Sequence, residues 1–318
     1  MQNNHPVELR SIRDAYGEAL IELGQTNRNV VVLDADVSSS TKSSLFGVKF
    51  PERFYNVGIA EGNMMAMAAG FASCGKIPFV NTFAVFATLR AGDPLRSVVA
   101  YPHLNVKIGA GYSGVSDSYD GATHQSVEDI SIVRAIPNIT VIVVADAAET
   151  RLATLAAAAI QGPVYLRLSR AEVPVLFKEG APFRVGKANV LHQGGDLTII
   201  ANGYMVHKAL TAVRALEQKG IHARLLEMHT VKPIDCEAIV NAARETGVIL
   251  TVEEHSVFGG LGSAVAEVIS QEHPVPLRIL GFNDCFGESG GYDAVLEKLG
   301  LSSANIIKEA EKLLRRKI

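Results

Sequence analysis

Apolar positions along the chain fall into two alternating patterns. Short unbroken apolar runs read as buried strands, and longer stretches with apolar residues three and four apart read as helices. Residues 11–23 have the helical spacing, with Ile12, Tyr16, Leu20 and Leu23 on one face. Residues 30–33 read as a strand that ends in Asp34-Ala35-Asp36, followed by the polar run Ser38-Ser39-Ser40-Thr41-Lys42. The alternation continues with strands at 55–57, 77–81, 106–109, 140–144 and 164–168. Helices are expected at 61–72, 93–100, 127–135 and 147–160. The 61–72 stretch is rich in Ala, Gly and Met, which suits close packing on a sheet. This order predicts a doubly wound α/β domain with a largely parallel sheet.

Residues 178–195 are richer in Gly and Pro and hold no long periodic element, which places a boundary there. A second alternating set follows, with strands at 197–201, 222–227, 248–253 and 277–280. Its helices are 206–219, 236–246, 262–271 and an amphipathic basic stretch at 304–317. The expected division is residues 1–180 and a second, smaller α/β domain of residues 181–318.

Composition narrows the class. Hydrophobic residues make up 48% and charged residues 20%, as in an ordinary globular protein with a sizeable core. A net charge of −3 gives no reason to expect nucleic acid or an anionic membrane as partner. The start, MQNNHPVELR, lacks the apolar core of a signal peptide, and no apolar run reaches membrane-spanning length. Cys74, Cys236 and Cys285 are few, odd in number and widely spaced, which fits a reducing cytosol rather than a disulfide framework or a zinc site. The nine histidines show no tight ligand spacing, so no metal site is expected in this chain. Gly259-Gly260-Leu261-Gly262 departs from GxGxxG and has no following lysine, and it reads as a helix cap.

Four groups of residues carry candidate chemistry. Glu61 opens an apolar helix with nothing basic close by in sequence. An unpaired buried carboxylate is costly, so its partner is either a ligand nitrogen or the helix dipole itself. Desolvation that holds its proton would suit it to acid/base work. Phe83 and Phe86 follow the next strand, three apart, before Arg90. On a helical turn that spacing puts both rings on one face, as a stacking platform for a flat ring or as plain core. Asp120 and His124 share the loop DGATHQ, which is either a grip for a polyhydroxylated substrate, with His124 moving a proton, or a solvated loop. Arg170 directly follows a strand. With Arg13 and Ser40 it either binds an oxyanion such as phosphate or forms a surface ion pair of little consequence. Asp36, Phe83, the segment 111–120 and Arg170 all follow strands, so a parallel sheet would set them on one rim.

The segments NVGIAEGNMMAMAAG, NTFAVF, DGATHQSVEDI, RAIPNITV and ADAAE occur in one order. With GDLTIIANGYMVHKAL, VKPID and TVEEHSVFGGLGSAVAE they resemble the C-terminal half of the transketolase family over nearly the whole chain. The resemblance implies a pyrimidine-binding domain over residues 1–180 and the family's C-terminal domain after it. It also implies the cofactor thiamine diphosphate. Glu61 stands at the position of the acid that bonds the aminopyrimidine ring and sets its tautomer. Phe83 and Phe86 match the aromatics that stack on that ring, and Asp36 joins them as a cofactor-binding residue. Asp120 matches the acid on a donor hydroxyl, and His124 a histidine of the substrate channel. Arg13, Ser40 and Arg170 match groups that hold the sugar phosphate. The implied activity is transfer of a two-carbon ketol unit from a ketose donor to an aldose acceptor.

Two departures bear on the donor. Leu89 stands where many relatives have a third aromatic, and the loop AGYSGVSDSYDG replaces a shorter loop with a GEDG-like ending and often an upstream histidine. These open the donor to a modified sugar, or to one with a sulfonate or an unusual carbon skeleton. The family's GDG…N diphosphate and metal motif is missing from the sequence. The expectation is therefore one subunit of a split transketolase, inactive alone and assembled as α2β2. A partner N-terminal subunit would hold the diphosphate and its Mg²⁺ or Ca²⁺. A 1-deoxyxylulose-5-phosphate synthase-like chain, a 2-oxoacid dehydrogenase beta subunit and a non-catalytic paralogue are the alternatives. Glu61 with both phenylalanines argues against the last.

Overall fold

The computed structural model describes residues 8–178 and 180–317. The first sheet is built mainly from apolar runs that are buried on both faces, with the half-exposed strand Phe54–Asn56 at one edge. Its strands are β2 (Val30–Asp34), β3 (Phe54–Asn56), β4 (Ile77–Phe83), β5 (Lys107–Gly111), β6 (Thr140–Val143) and β7 (Val164–Arg167), all parallel. Alternate residues feed opposite cores: Val30 and Val32 enter one apolar cluster, Val31 and Leu33 the other. That double burial is why these strands read as continuous apolar runs. Outside this sheet, β1 (Leu9–Ser11) pairs with β8 (Glu172–Pro174), a short antiparallel link that no periodicity announces.

The second sheet holds β9 (Asn189–His192), β10 (Leu197–Ala201), β11 (Ala223–Glu227), β13 (Ile249–Ser256) and β14 (Leu277–Phe282), in the order β14-β13-β10-β11-β9. Only β9 runs antiparallel, against β11. It lies within 178–195, the stretch expected to lack elements; four half-exposed edge residues carry too little pattern to announce a strand. Between the two, β12 (Thr230–Lys232) leaves the second half of the chain and adds antiparallel to β6, giving the first sheet the order β12-β6-β7-β5-β4-β2-β3. One apolar cluster runs through both halves, from Tyr16 and Ile142 to Leu250 and Leu313.

Most helices lie where the periodicity puts them, including Ile12–Thr26, Glu61–Ser73, Ala147–Ala159 and Met205–Gln218. The expected 93–100 helix is a short α-turn, Gly92–Pro94, followed by a wider π-turn, Leu95–Ala100. The expected 127–135 helix starts later, at Asp129. Gly259–Gly262 does cap a helix: the buried Glu253 carboxylate accepts the N–H groups of Leu261 and Gly262 at 2.6 and 2.8 Å. No helix among the described residues is long and apolar enough to cross a membrane.

Candidate active site

The parallel sheet brings the carboxyl ends of β2, β4, β5 and β7 to one rim, and the candidate residues gather there. After β2, the buried Asp34 carboxylate binds the Val37 N–H at 2.7 Å and the Thr41 and Ser43 hydroxyls at 2.9 and 2.8 Å. This folds the polar run into the short helix Ser38–Thr41 and turns the Ser40 carbonyl toward Arg13. Burial raises the Asp34 pKa, and these hydrogen bonds offset only part of that rise. At the sheet centre Tyr16 donates to the Asn81 side chain at 2.7 Å. Gly109 is required beside them, because a Cβ there would collide with the Tyr16 hydroxyl and the Asn81 amide oxygen.

Glu61 is 5% exposed and sits at the first position of its helix. Sequence proximity offers it no basic partner, and the structure corrects this. Arg90 Nη1, twenty-nine residues on, donates to Glu61 Oε1 at 3.1 Å. The wide turn Phe86–Arg90 carries the guanidinium back over this helix and lays it on the Phe86 ring, 3.9 Å from the centroid. No described residue hydrogen-bonds Glu61 Oε2.

Phe83 and Phe86 do stack, with centroids 5.8 Å apart and planes at 19°. They do so across a strand end and a turn rather than along a helix, since Phe83 closes β4. Tyr112 stacks on the other side of Phe83 at 4.2 Å. His124 meets both phenylalanines edge-on, at 6.2 and 5.4 Å. The result is a continuous aromatic wall leading from Glu61 toward the β5 loop.

Beyond Tyr112 lies a pair of arginines. Arg13 Nη1 donates to the Ser40 carbonyl at 2.8 Å and to the Tyr112 hydroxyl at 2.9 Å. The Arg13 and Arg170 guanidinium carbons lie 5.1 and 5.2 Å from the Tyr112 ring centre. Arg170 Nη1 also donates to Asp117 Oδ1 at 2.9 Å. Asp117 is fully buried and its Oδ2 has no described partner. Burial first, and the neighbouring Asp120 carboxylate second, push Asp117 up to about 6 against the pull of Arg170.

The site thus joins Glu61, Phe83, Phe86, His124, Arg13, Ser40, Asp120 and Arg170. Asp36 stays apart: it is exposed, at positive φ, and bonded to Asn56 Nδ2 at 2.8 Å. Three site residues escape sequence reasoning, namely Arg90, Tyr112 and Asp117. Arg90 follows Phe86 by four residues, a spacing that signals a cation over a ring. Tyr112 follows a strand at φ 57°, a strained backbone common at functional loops.

The loop bearing Asp117 to Gln125 is pinned from the second half of the chain. Gly290 N–H donates to the Ser118 carbonyl at 2.8 Å, and Gln125 Nε2 to the Glu288 carbonyl at 3.0 Å. Below it the buried Glu254 accepts from Val115 N–H at 2.7 Å and from the Tyr292 hydroxyl at 2.8 Å. Burial pushes Glu254 up to about 7. Arg167 and Asp129, both buried, pair at 2.8 Å beside it.

Residues 9–175 match the transketolase pyrimidine-binding domain, and residues 186–306 the transketolase C-terminal domain. The chain is similar to the 6-deoxy-6-sulfo-D-fructose transketolase subunit of Clostridium sp. (strain MSTE9), 43% identical over 99% of both chains. It is 39% identical to one of the subunits of the apulose-4-phosphate transketolase of Phocaeicola vulgatus, over 96% of this chain and 97% of that one. Among solved structures it resembles a split-gene transketolase described as an inactive beta4 tetramer. There the TM-score is 0.89 and the identity 51%, over 97% of this chain and 99% of the other. Two domain matches in order, near full-length relatives and the shared α/β architecture agree: the chain belongs to the transketolase family.

Proposed function

We propose that this chain is the pyrimidine-binding and C-terminal subunit of a split transketolase, which moves a two-carbon ketol unit from a ketose donor to an aldose acceptor. One observation carries the reading. Glu61 is a buried carboxylate with one oxygen held by Arg90 and the other unclaimed by any described residue, beside the face of Phe86. That pairing of acid and aromatic face fits a flat heterocycle with a basic nitrogen. Thiamine diphosphate, when bound, supplies the electron sink for carbon–carbon cleavage. The chain's residues do the remaining work. Glu61 holds a proton at the ring nitrogen, while Phe83 and Phe86 orient the ring and keep water from it. His124, edge-on to both rings, moves a proton at a substrate hydroxyl, and Asp120 accepts from another.

Arg13 and Arg170, flanking Tyr112, take the anionic end of the donor, with the Ser40 carbonyl holding Arg13 in place. The donor class is a ketose ending in phosphate or sulfonate, in line with relatives named for a sulfonated ketose and a sugar phosphate. The diphosphate and its Mg²⁺ or Ca²⁺ belong to a separate N-terminal subunit, in an α2β2 assembly in the cytoplasm.

Glu61→Gln and Glu61→Ala in the reconstituted complex test this. Ketol transfer falls by roughly a thousandfold, within the range for loss of a proton-handling group, while assembly measured by light scattering is unchanged. Near-normal transfer by the Ala variant would refute the role of Glu61. Turnover of ketose phosphate by this chain with no partner would refute the split enzyme.

A further inference from the structure

Histidine spacing along the sequence predicts no metal site, yet the fold assembles a ligand set outside the site described above. Glu149 lies in the first turn of the helix Ala147–Ala159, Glu227 ends β11, and His229 sits just before β12. One donor atom from each lies within 4.8 Å of the other two. Their exposures are 2%, 0% and 0%.

Each of the three is anchored on one side and unpartnered on another. Glu149 Oε2 accepts the Ala145 N–H at 2.7 Å. Glu227 Oε2 accepts from Asn189 Nδ2 at 2.9 Å. His229 Nδ1 meets the Thr230 hydroxyl at 2.7 Å, and its ring stacks on Phe183 at 4.4 Å. Glu149 Oε1, Glu227 Oε1 and His229 Nε2 are buried with no partner among the described residues. No described lysine or arginine pairs with either carboxylate. Glu149 and Glu227 face each other without a counter-charge and can lessen that cost only by sharing a proton, and His229 Nε2 stays without a partner beside them. The anchoring bonds are the kind that orient metal ligands from behind.

We propose that Glu149, Glu227 and His229 bind a divalent transition cation of the zinc class. Two carboxylates and a buried imidazole form the mixed oxygen and nitrogen set that such ions take, with a fourth position for water. Mg²⁺ and Ca²⁺ want more oxygen ligands than this site offers. The place of the site gives the cation its role. Glu149 belongs to a helix of the first domain, and Glu227 to the second sheet. His229 leads into β12, the strand that crosses from the second half to the first sheet. Next to Glu149, Asp146 Oδ2 accepts the N–H groups of Leu176 and Phe177, on the segment that leaves the first domain. A cation here clamps the two sheets at their crossover.

The test uses the full chain, stripped with a chelator, dialysed and titrated with Zn²⁺, Co²⁺ or Mg²⁺. The expected result is uptake of one Zn²⁺ per chain with micromolar or tighter affinity, measured by mass spectrometry of the metal. Co²⁺ gives visible absorption typical of low-coordinate oxygen and nitrogen ligation, Mg²⁺ does not compete, and Zn²⁺ raises the thermal midpoint. The double variant Glu149→Gln/Glu227→Gln, with its fold checked by circular dichroism, loses more than about 100-fold in affinity, above the usual effect of changing a residue behind a ligand. Failure of the wild-type chain to take up stoichiometric Zn²⁺ overturns the proposal, whatever the variants do. So does undiminished uptake by the folded double variant, which puts the ion elsewhere.

Discussion

The buried Asp117 makes the arginine clamp dependent on pH, and the size of the effect follows from its position. Arg170 is tied to Asp117 at 2.9 Å, so an ionised Asp117 competes with an anionic donor for the same guanidinium. Burial and Asp120 push Asp117 up to about 6, with Arg170 and His124 facing it and pulling the other way. A raised carboxyl pKa favours the protonated form, so Arg170 is released as pH falls through about 6. Taken alone, the titration leaves ~3% of molecules with a neutral Asp117 at about pH 7.5 and ~90% at about pH 5, a ~30-fold ceiling on the change in KM. Arg170 is 37% exposed in its side chain. Solvent weakens its hold on Asp117, which brings the expected fall to about tenfold, or ~1.4 kcal/mol. The donor must keep constant charge, since a phosphate titrates in the same range. A sulfonated ketose meets that need, assayed with the partner subunit present. Its KM falls about tenfold between those two pH values, an uncharged ketose shows no such fall, and Asp117→Asn gives a low KM at both. A KM profile that survives intact in the Asn variant, or an Asn variant with raised KM, would refute the competition.

Two further changes test other parts of the molecule. Glu254→Leu leaves the Val115 N–H and the Tyr292 hydroxyl without an acceptor, which costs ~2–4 kcal/mol and lowers the thermal midpoint by several degrees in calorimetry. Glu254 also has a folded pKa, about 7, above its ordinary value of 4.5, so its contribution is fully present below 4.5 and lost as pH rises to about 7. Denaturant titrations across that window show a decline on the order of 3 kcal/mol in the wild type, and a Glu254→Gln chain lacks it. Phe83→Leu keeps an apolar side chain but removes the ring between Phe86 and Tyr112; thiamine diphosphate then binds the assembled complex about tenfold more weakly, as read by fluorescence titration.

The sheet-forming runs of the first domain are legible because strands buried on both faces are apolar throughout, and 30–33, 77–81 and most of 164–168 lie within observed strands. Site residues at strand ends are legible for a related reason: parallel strands deliver their carboxyl ends to one rim, so Phe83 and Arg170 can be placed together before any contact is known. The rest depends on distance in sequence. Arg90 reaches Glu61 because a wide turn redirects it, and local spacing encodes neither the turn nor the pairing. Tyr112 meets Arg13 across ninety-nine residues. Glu149 and His229 meet only because β12 crosses between sheets, and a three-residue edge strand carries almost no pattern.

The Arg90 bridge gives the half-site a physical logic. Arg90 satisfies Glu61 and covers the face of Phe86 at once, so a flat ring that bonds Glu61 and stacks on Phe86 must displace it from both. That displacement is cheap, because Arg90 is 52% exposed in its side chain and returns to water with little desolvation to undo. Glu61 is different: at 6% side-chain exposure it needs a new partner the moment Arg90 leaves. The surroundings point to where that partner comes from. Ile59, Met67, Leu89, Val98 and Tyr101 are exposed large apolar side chains on or beside the segments that pack around Glu61. Apolar exposure gathered along one stretch of chain is the mark of a surface that another protein covers. A buried acid, an exposed cation paired with it and an apolar rim are the features the proposed split enzyme needs on this subunit.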